Sequence, residues 1–346
     1  MVRALYLASL ALTPVVLLAR YALHVDGTAL FVLSCAALTP LAFLIGEATE
    51  NVAEHTGPGI GGFLNASFGN APELIIALFA IADGLPNVVR GSIAGSVVST
   101  ALLVFGGALV FGRDGDPIDR RSTLVQMSLV LGAVLLFLIP AVGGWHGNPD
   151  RHSLYLVTLP VAAVLLLVYL TVTVKNLRAH NAAHVSEAAA GSWSLKTAVL
   201  ALAAATVATA LVSEVLVHSL ETFGRELGLS EFFVAAVIVA FVGNAAEHGG
   251  AIVTARRGNT GLGAEIAVSS STQVAVFVAP AIALLSGLVG RGLPLSFRPI
   301  EIATMAISAV VVIVVSLDGR ARRAEGWMLV AGYAIAATAF ALSGDR

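Results

Sequence analysis

The sequence predicts an all-α polytopic membrane protein of about eleven transmembrane helices, an initial helix followed by two inverted five-helix repeats. Three observations predict it. Charged residues make up 12% of the 346 and hydrophobic ones 58%, where a soluble domain keeps roughly 25% charged to hold its surface in water. Eleven stretches are long and apolar enough to cross a hydrocarbon core, which takes about 20 residues. A five-residue polar motif inside the third stretch returns inside the eighth.

The stretches run, in order, over residues 4–24, 28–54, 59–82, 88–111, 122–142, 153–174, 196–222, 230–255, 261–287, 298–317 and 326–343. The first follows Arg3 and lacks a small-x-small cleavage site with a mature domain behind it, so it reads as a retained helix rather than a leader. Charges and turn residues gather in the gaps, as in Arg113-Asp114-Gly115-Asp116-Pro117 and Arg320-Ala321-Arg322-Arg323. The most polar gap, 177–195, reads as a linker between the first repeat, 28–176, and the second, 196–346, with 1–27 as the initial helix.

Basic residues set the orientation. Twelve of the 19 fall on the side of the N-terminus and seven on the other, so the N-terminus is expected in the cytoplasm and the C-terminus outside. Arginine outnumbers lysine 17 to 2 beside abundant Ala, Val and Gly, the usage of a GC-rich bacterial genome, which points to a bacterial cell membrane. A net charge of −2 suggests no nucleic-acid partner. The single cysteine, Cys35, cannot form an intramolecular disulfide.

The repeat is the most informative feature. GNAPE at 69–73 returns as GNAAE at 243–247. Behind the first comes SIAGSVVST at 92–100, behind the second EIAVSSSTQ at 265–273; Ala48-Thr49-Glu50 precedes one and Val212-Ser213-Glu214 the other. Because the copies lie five helices apart, they cross the bilayer in opposite directions, the inverted design of secondary transporters.

Within this repeat, Glu73 and Glu247 sit deep in apolar spans. A carboxylate there costs a few kcal/mol by insertion scales and usually lines a cavity or binds something. The Gly-Asn pair ahead of each, with Pro72 beside Glu73, permits a helix break that exposes carbonyl oxygens. Carboxylates, freed carbonyls and hydroxyls are the hard oxygen ligands of Ca²⁺, and two glutamates balance one divalent ion. The plainer alternative, that each Glu only bonds a helix break, suits a symmetric pair poorly.

Asn70, Asn244, Gln273, Ser96, Ser99, Ser269 and Thr272 are candidates to add neutral ligands or hold the carboxylates. The hydroxyls could equally bond back to their own helices. Glu47, Glu50 and Glu54 share one face of the second span, and Glu214, His218 and Glu221 one face of the seventh. Glu50, Glu214 and Glu47 read as an ion or proton pathway, Glu54 and Glu221 as solvated helix ends. His248 follows Glu247 and could carry protons or make a structural hydrogen bond. Glu265 is expected to pair with Arg256 or Arg257.

The stretch GEATENVAEHTGPGIGGFLNASFGNAPELIIALFAIADG (46–84), with GNAAEHGGAIVTARRGNTGLGAEIAVSSSTQVAVFVAP (243–280), resembles the cation/proton exchanger family of the calcium/cation antiporter superfamily. The resemblance spans both repeat cores and the helix order. It implies Ca²⁺/H⁺ exchange with Glu73 and Glu247 as Ca²⁺ ligands, and a long oblique helix opening each half. One departure is Thr100, where the family usually carries Asn. Sodium coupling is the alternative, but the neutral Gln273 stands where sodium-type relatives tend to carry another carboxylate. An intramembrane enzyme finds little support: GRDGD at 112–116 lies in a polar loop, and AEH at 246–248 does not extend to a zinc-binding HExxH. The expected partners are the bilayer and the transported Ca²⁺ and H⁺, with no cofactor; the oligomeric state, monomer or homo-oligomer, stays open.

Overall fold

The computed structural model describes residues 2–25, 27–180 and 193–345. Most of the expected 177–195 linker lies outside the described residues, as does Arg346. Among the described residues there is no β-strand, only an isolated bridge between Pro117 and Arg320. The helices are α1 Val2–Tyr21, α2 Thr28–Gly69, α3 Ala71–Ala82, α4 Pro86–Phe111, α5 Arg120–Trp145 and α6 His152–His180. Then come α7 Leu195–Leu227, α8 Glu231–Gly243, α9 Ala245–Arg256, α10 Thr260–Val289, α11 Pro299–Asp318 and α12 Arg323–Ser343.

Eight described helices are long and apolar enough to cross a membrane, nine if α8 and α9 count as one span bent by 59°. The sequence separates 28–54 from 59–82, but helical backbone runs without interruption to Gly69 and the break comes at Asn70. The apolar side chains turned outward, Leu135, Leu167, Leu200, Ile335 and Leu342 among them, are the surface expected of a lipid-facing bundle.

The connections gather at two ends. At one, Thr260 hydrogen-bonds Asp116 (2.7 Å) and takes the Arg113 N–H (2.9 Å), while Gly115 N–H reaches Ala321 O (2.7 Å). Arg113, Arg120, Arg121, Arg256, Arg257, Arg320, Arg322 and Arg323 belong to this basic end. At the opposite end the buried Arg90 guanidinium ties three connections together. It pairs with Asp150 at 2.7 Å and donates to Asn87 (2.7 Å), Ser296 (3.3 Å) and Pro294 O (3.3 Å).

Two helix pairs define the interior. The long α2 and α7 run antiparallel: Thr28 donates to Glu226 at one end (Oγ1 at 2.6 Å), and Asn51 takes the Trp193 N–H at the other (2.9 Å). Helices α4 and α8 pack backbone to backbone, because a methyl group at Gly95 would collide with the Ala236 carbonyl. Small residues let helices approach this closely inside a membrane, where no hydrophobic force drives them together.

Candidate ion-binding site

Two matched breaks build the site. Asn70 separates α2 from α3 at φ −99°, ψ 16°, and Asn244 separates α8 from α9 at φ −98°, ψ 19°. Both lie in the sparsely allowed region where many active-site residues sit. Asn70 donates its N–H to Phe68 O, and Asn244 to Val242 O. The chain resumes as helix through Leu74 N–H to Asn70 O (3.1 Å) and His248 N–H to Asn244 O (3.0 Å). Pro72 falls in the first turn, where its missing N–H removes no helical bond.

Glu73 and Glu247 occupy those first turns, where the free N–H groups of a helix start favour negative charge. Each reaches across to the other copy of the motif. A methyl group at Gly243 would lie 3.0 Å from Glu73 Cγ, and one at Gly69 would lie 3.9 Å from Glu247 Oε1. Among the described residues, neither carboxylate oxygen of the buried Glu73 has a hydrogen-bond partner, and the buried Oε2 of the half-buried Glu247 has none either. The two charges repel each other. A buried charge persists only if paired, so this arrangement calls for a cation or for protons.

The amides form two arms around the pair. Asn70 Nδ2 donates to Gln273 Oε1 at 2.8 Å, and Gln273 Nε2 to Ser269 Oγ at 3.3 Å. On the other side Asn244 Nδ2 donates to Ser96 Oγ at 2.8 Å and to Ala240 O at 2.9 Å. The second arm has no bridging amide: Thr100, at the position of Gln273, turns its hydroxyl back onto Ser96 O at 2.7 Å. Ser99 donates to Ser96 O (3.2 Å), and Thr272 to Val268 O (2.9 Å) and Gln126 O (3.2 Å), so these hydroxyl protons face backbone. Sequence reasoning missed Ser270, whose hydroxyl lies 3.4 Å from Asn244 Oδ1. Its only signal was the run of three serines at 269–271. Also unforeseen are the π-helical turns at Ser99–Val104 and Val274–Val278, directly behind the two arms. Such turns are frequent at functional sites.

The expected pathway residues are spread over both ends. Glu50 and Glu54 are exposed and Glu47 half-buried in the part of α2 next to Asn51. Glu214 is half-buried toward the far end of α7, and Glu221 is exposed there. His218 Nδ1 lies 2.8 Å from Glu214 O and 3.6 Å from Asp83 Oδ2, at the end of α3. None of these hydrogen-bonds the buried carboxylate oxygens of Glu73 or Glu247. His248 is 3% exposed, its ring 4.8 Å from that of Phe241, and neither nitrogen has a partner among the described residues. The expected pairing of Glu265 with Arg256 or Arg257 is not formed. Arg256 lies over the Phe111 ring, 5.9 Å from its centre, while Glu265 Oε1 accepts from Ser122 (2.7 Å) and Gln126 (2.6 Å) on α5.

The two halves differ in accessibility. Along the first half of α10, Leu262, Glu265, Ile266, Ser269 and Gln273, the last bonded to Asn70, reach the surface on one helical stripe that continues to Phe277 and Ala281. The matching positions of α4, Ser96 and Thr100, are 1% and 0% exposed. Glu247 is thus the more exposed of the two carboxylates and Glu73 the more deeply buried.

The chain matches the sodium/calcium exchanger protein family over residues 27–177 and 197–342. It belongs to that family. The family resemblance read from the two GNAxE motifs is therefore borne out. The Ca(2+)/H(+) antiporter ChaA of Bacillus subtilis (strain 168) is 37% identical over 334 residues, 92% of this chain and 94% of that protein. A Ca(2+)/H(+) antiporter of Aphanothece halophytica is 33% identical over 358 residues, 97% of this chain and 96% of that one. Among solved structures, native YfkE superposes with a TM-score of 0.83 at 32% identity, over 98% of this chain and 99% of that one. The H+/Ca2+ exchanger CAX shares the exchanger fold, with a TM-score of 0.68 at 17% identity over 99% and 93% of the two chains.

Proposed function

We propose that this exchanger carries Ca²⁺ one way and H⁺ the other across a bacterial cell membrane by alternating access, with Glu73 and Glu247 as the carboxylates that hold either cargo. The reading rests on the reciprocal pair: a buried and a half-buried carboxylate from inverted motifs, each beside the other's Gly-Asn break, with buried oxygens that no donor among the described residues satisfies. Relatives named Ca(2+)/H(+) antiporter, matched over nearly their whole length, support the choice of ions.

Strict exchange follows from charge. An empty, doubly negative pair is costly to enclose in a membrane. One Ca²⁺, or protons in its place, brings the pair close to neutral, so only loaded forms change access at low cost. The amide arms of Asn70, Gln273 and Ser269, and of Asn244 and Ser96, orient the carboxylates and offer neutral oxygens. Glu247, Ser269 and Gln273 are half-buried while Glu73, Ser96 and Thr100 are buried, and we read this difference as a path along α9 and α10 that leads toward the basic end. The inverted repeat supplies the opposite state by exchanging these roles. The basic end is read as cytoplasmic from its excess of Arg and Lys. A reporter in 177–195 should then lie inside and one after residue 346 outside.

The deciding measurement is uptake of labelled Ca²⁺ into liposomes of purified protein under an imposed pH gradient, with and without Na⁺. Proton-driven uptake indifferent to Na⁺ is expected. Uptake that requires a Na⁺ gradient would replace protons with sodium, and no uptake under either gradient would overturn the reading.

A further inference from the structure

Glu265 is a carboxylate inside α10 with no ion-pair partner among the described residues. Its Oε1 takes both donors, Ser122 Oγ at 2.7 Å and Gln126 Nε2 at 2.6 Å, and Gln126 Nε2 also reaches Ser122 Oγ at 3.0 Å. Oε2 has no donor among the described residues, yet it is not one of the fully buried orphan oxygens. Neutral amide and hydroxyl groups therefore fix the carboxylate's direction while leaving its charge uncompensated. An ordinary structural ion pair would use Arg256 or Arg257, three and two residues before Asn259, but neither pairs with it, and Arg256 lies over the Phe111 ring.

Its position gives that charge a use. Glu265 stands five residues into α10 from Thr260 at the basic end, on the one stripe of that helix that reaches the surface. At 1.5 Å per residue, Gln273, which holds Asn70, lies about 12 Å further along the same helix. Ser269 lies between them and is hydrogen-bonded to Gln273. The inverted copy carries Ser92 at this position, half-buried like Glu265 but without a charge, and its hydroxyl is bonded to Val89 O at 3.0 Å. The feature therefore belongs to one mouth only and is not a by-product of the repeat.

We propose that Glu265, aimed by Ser122 and Gln126, collects divalent cations at the basic-end mouth and passes them along Ser269 toward Glu247. The inference rests on reading Glu73 and Glu247 as the cation site. Clefts lined by one sign of charge raise local counter-ion concentration and entry rates by roughly 10 to 10³, and a single carboxylate among the arginines of this end stands at the low limit of that range. The effect weakens as salt screens it, with a Debye length of about 10 Å at 0.1 M. Glu265 is a positioning and steering group: it touches neither carboxylate of the pair.

The test uses the full-length protein in sealed vesicles of both orientations, with labelled Ca²⁺ offered to one face at a time. Glu265→Gln should raise the KM for Ca²⁺ presented at the basic end about tenfold. The maximal rate and the KM at the opposite face should move much less. Wild-type KM at the basic end should rise with ionic strength at constant pH, and that dependence should be lost in Glu265→Gln. Glu265→Asp keeps the charge and should keep most of the affinity and its salt dependence. Equal changes at both faces, a lower maximal rate at unchanged KM, or an unchanged salt dependence would overturn the proposal. If Glu265→Gln does not fold, the salt dependence of the wild type and Glu265→Asp decides: a KM at the basic end that ignores ionic strength refutes it. Wild-type protein that fails to transport Ca²⁺ at all refutes the proposed function instead, so the two failures are distinct.

Discussion

Replacing Glu73 by glutamine isolates charge from shape at the most enclosed point of the site. Glu73 is 9% exposed, and among the described residues no cation pairs with it and neither oxygen has a hydrogen-bond partner, so bound cargo is what balances its charge. Removing one member of a buried charge pair costs roughly 3–5 kcal/mol. At about 1.4 kcal/mol per factor of ten, Ca²⁺ affinity should fall from about 10²-fold to a few thousandfold. Folding should survive. The new amide donors cost about 1–3 kcal/mol if they stay unpaired, but a carboxylate has left the membrane interior, which is worth a few kcal/mol. The assay is Ca²⁺ flux into proteoliposomes beside size-exclusion and thermal-unfolding profiles of the same preparation. Glu247→Gln should behave alike in flux. If both variants fold and transport within threefold of wild type, the carboxylate pair is not the cation site.

Three further outcomes test the surrounding arrangement. In a Cys35→Ala background, cysteines at 269 and 273 should react with a membrane-impermeant thiol reagent added at the basic end, and cysteines at 96 and 100 should not; equal labelling would contradict the one-sided opening. Apparent Ca²⁺ affinity should rise with pH over roughly 6 to 8, because acid fills the carboxylates with protons that must leave before the ion binds. Calorimetry in two buffers of different ionisation enthalpy should register that release, and a flat affinity with no proton release would remove the coupling. Gly95→Ala should lower the unfolding temperature, since overpacking of this kind costs about 1–3 kcal/mol and the methyl meets the Ala236 backbone. Gly132→Ala, with open space around it, should be neutral or stabilising; equal effects would show that the α4–α8 contact is looser than described.

Much of this protein was legible in the chain itself. Composition and eleven apolar stretches place it in a membrane, and charge in that setting is so unfavourable that Glu73 and Glu247 stand out without any coordinates. The breaks were legible too, because Gly, Asn and Pro act on the backbone within a few residues of themselves. The fate of the neutral groups was not. Ser96 and Ser269 join the arms, Ser99 and Thr272 face backbone, and Ser270 enters unannounced, although all five have the same chemistry.

What separates these residues is the rotation of one helix against another brought in from 140 to 200 positions away, as in the contacts of Asn244 with Ser96 and Asn70 with Gln273. The same holds for Glu265, for which the sequence offers Arg256 and Arg257 as partners while its actual partners come from α5. The sequence by itself determined the membrane setting, the repeat and the charged pair, because each depends on local composition or on comparison of one segment with another. Only the tertiary structure decided which carboxylate is more exposed and which side chains join the two motifs. Those follow from packing between distant helices, and a one-residue turn of 100° about a helix axis changes them while leaving every local pattern intact.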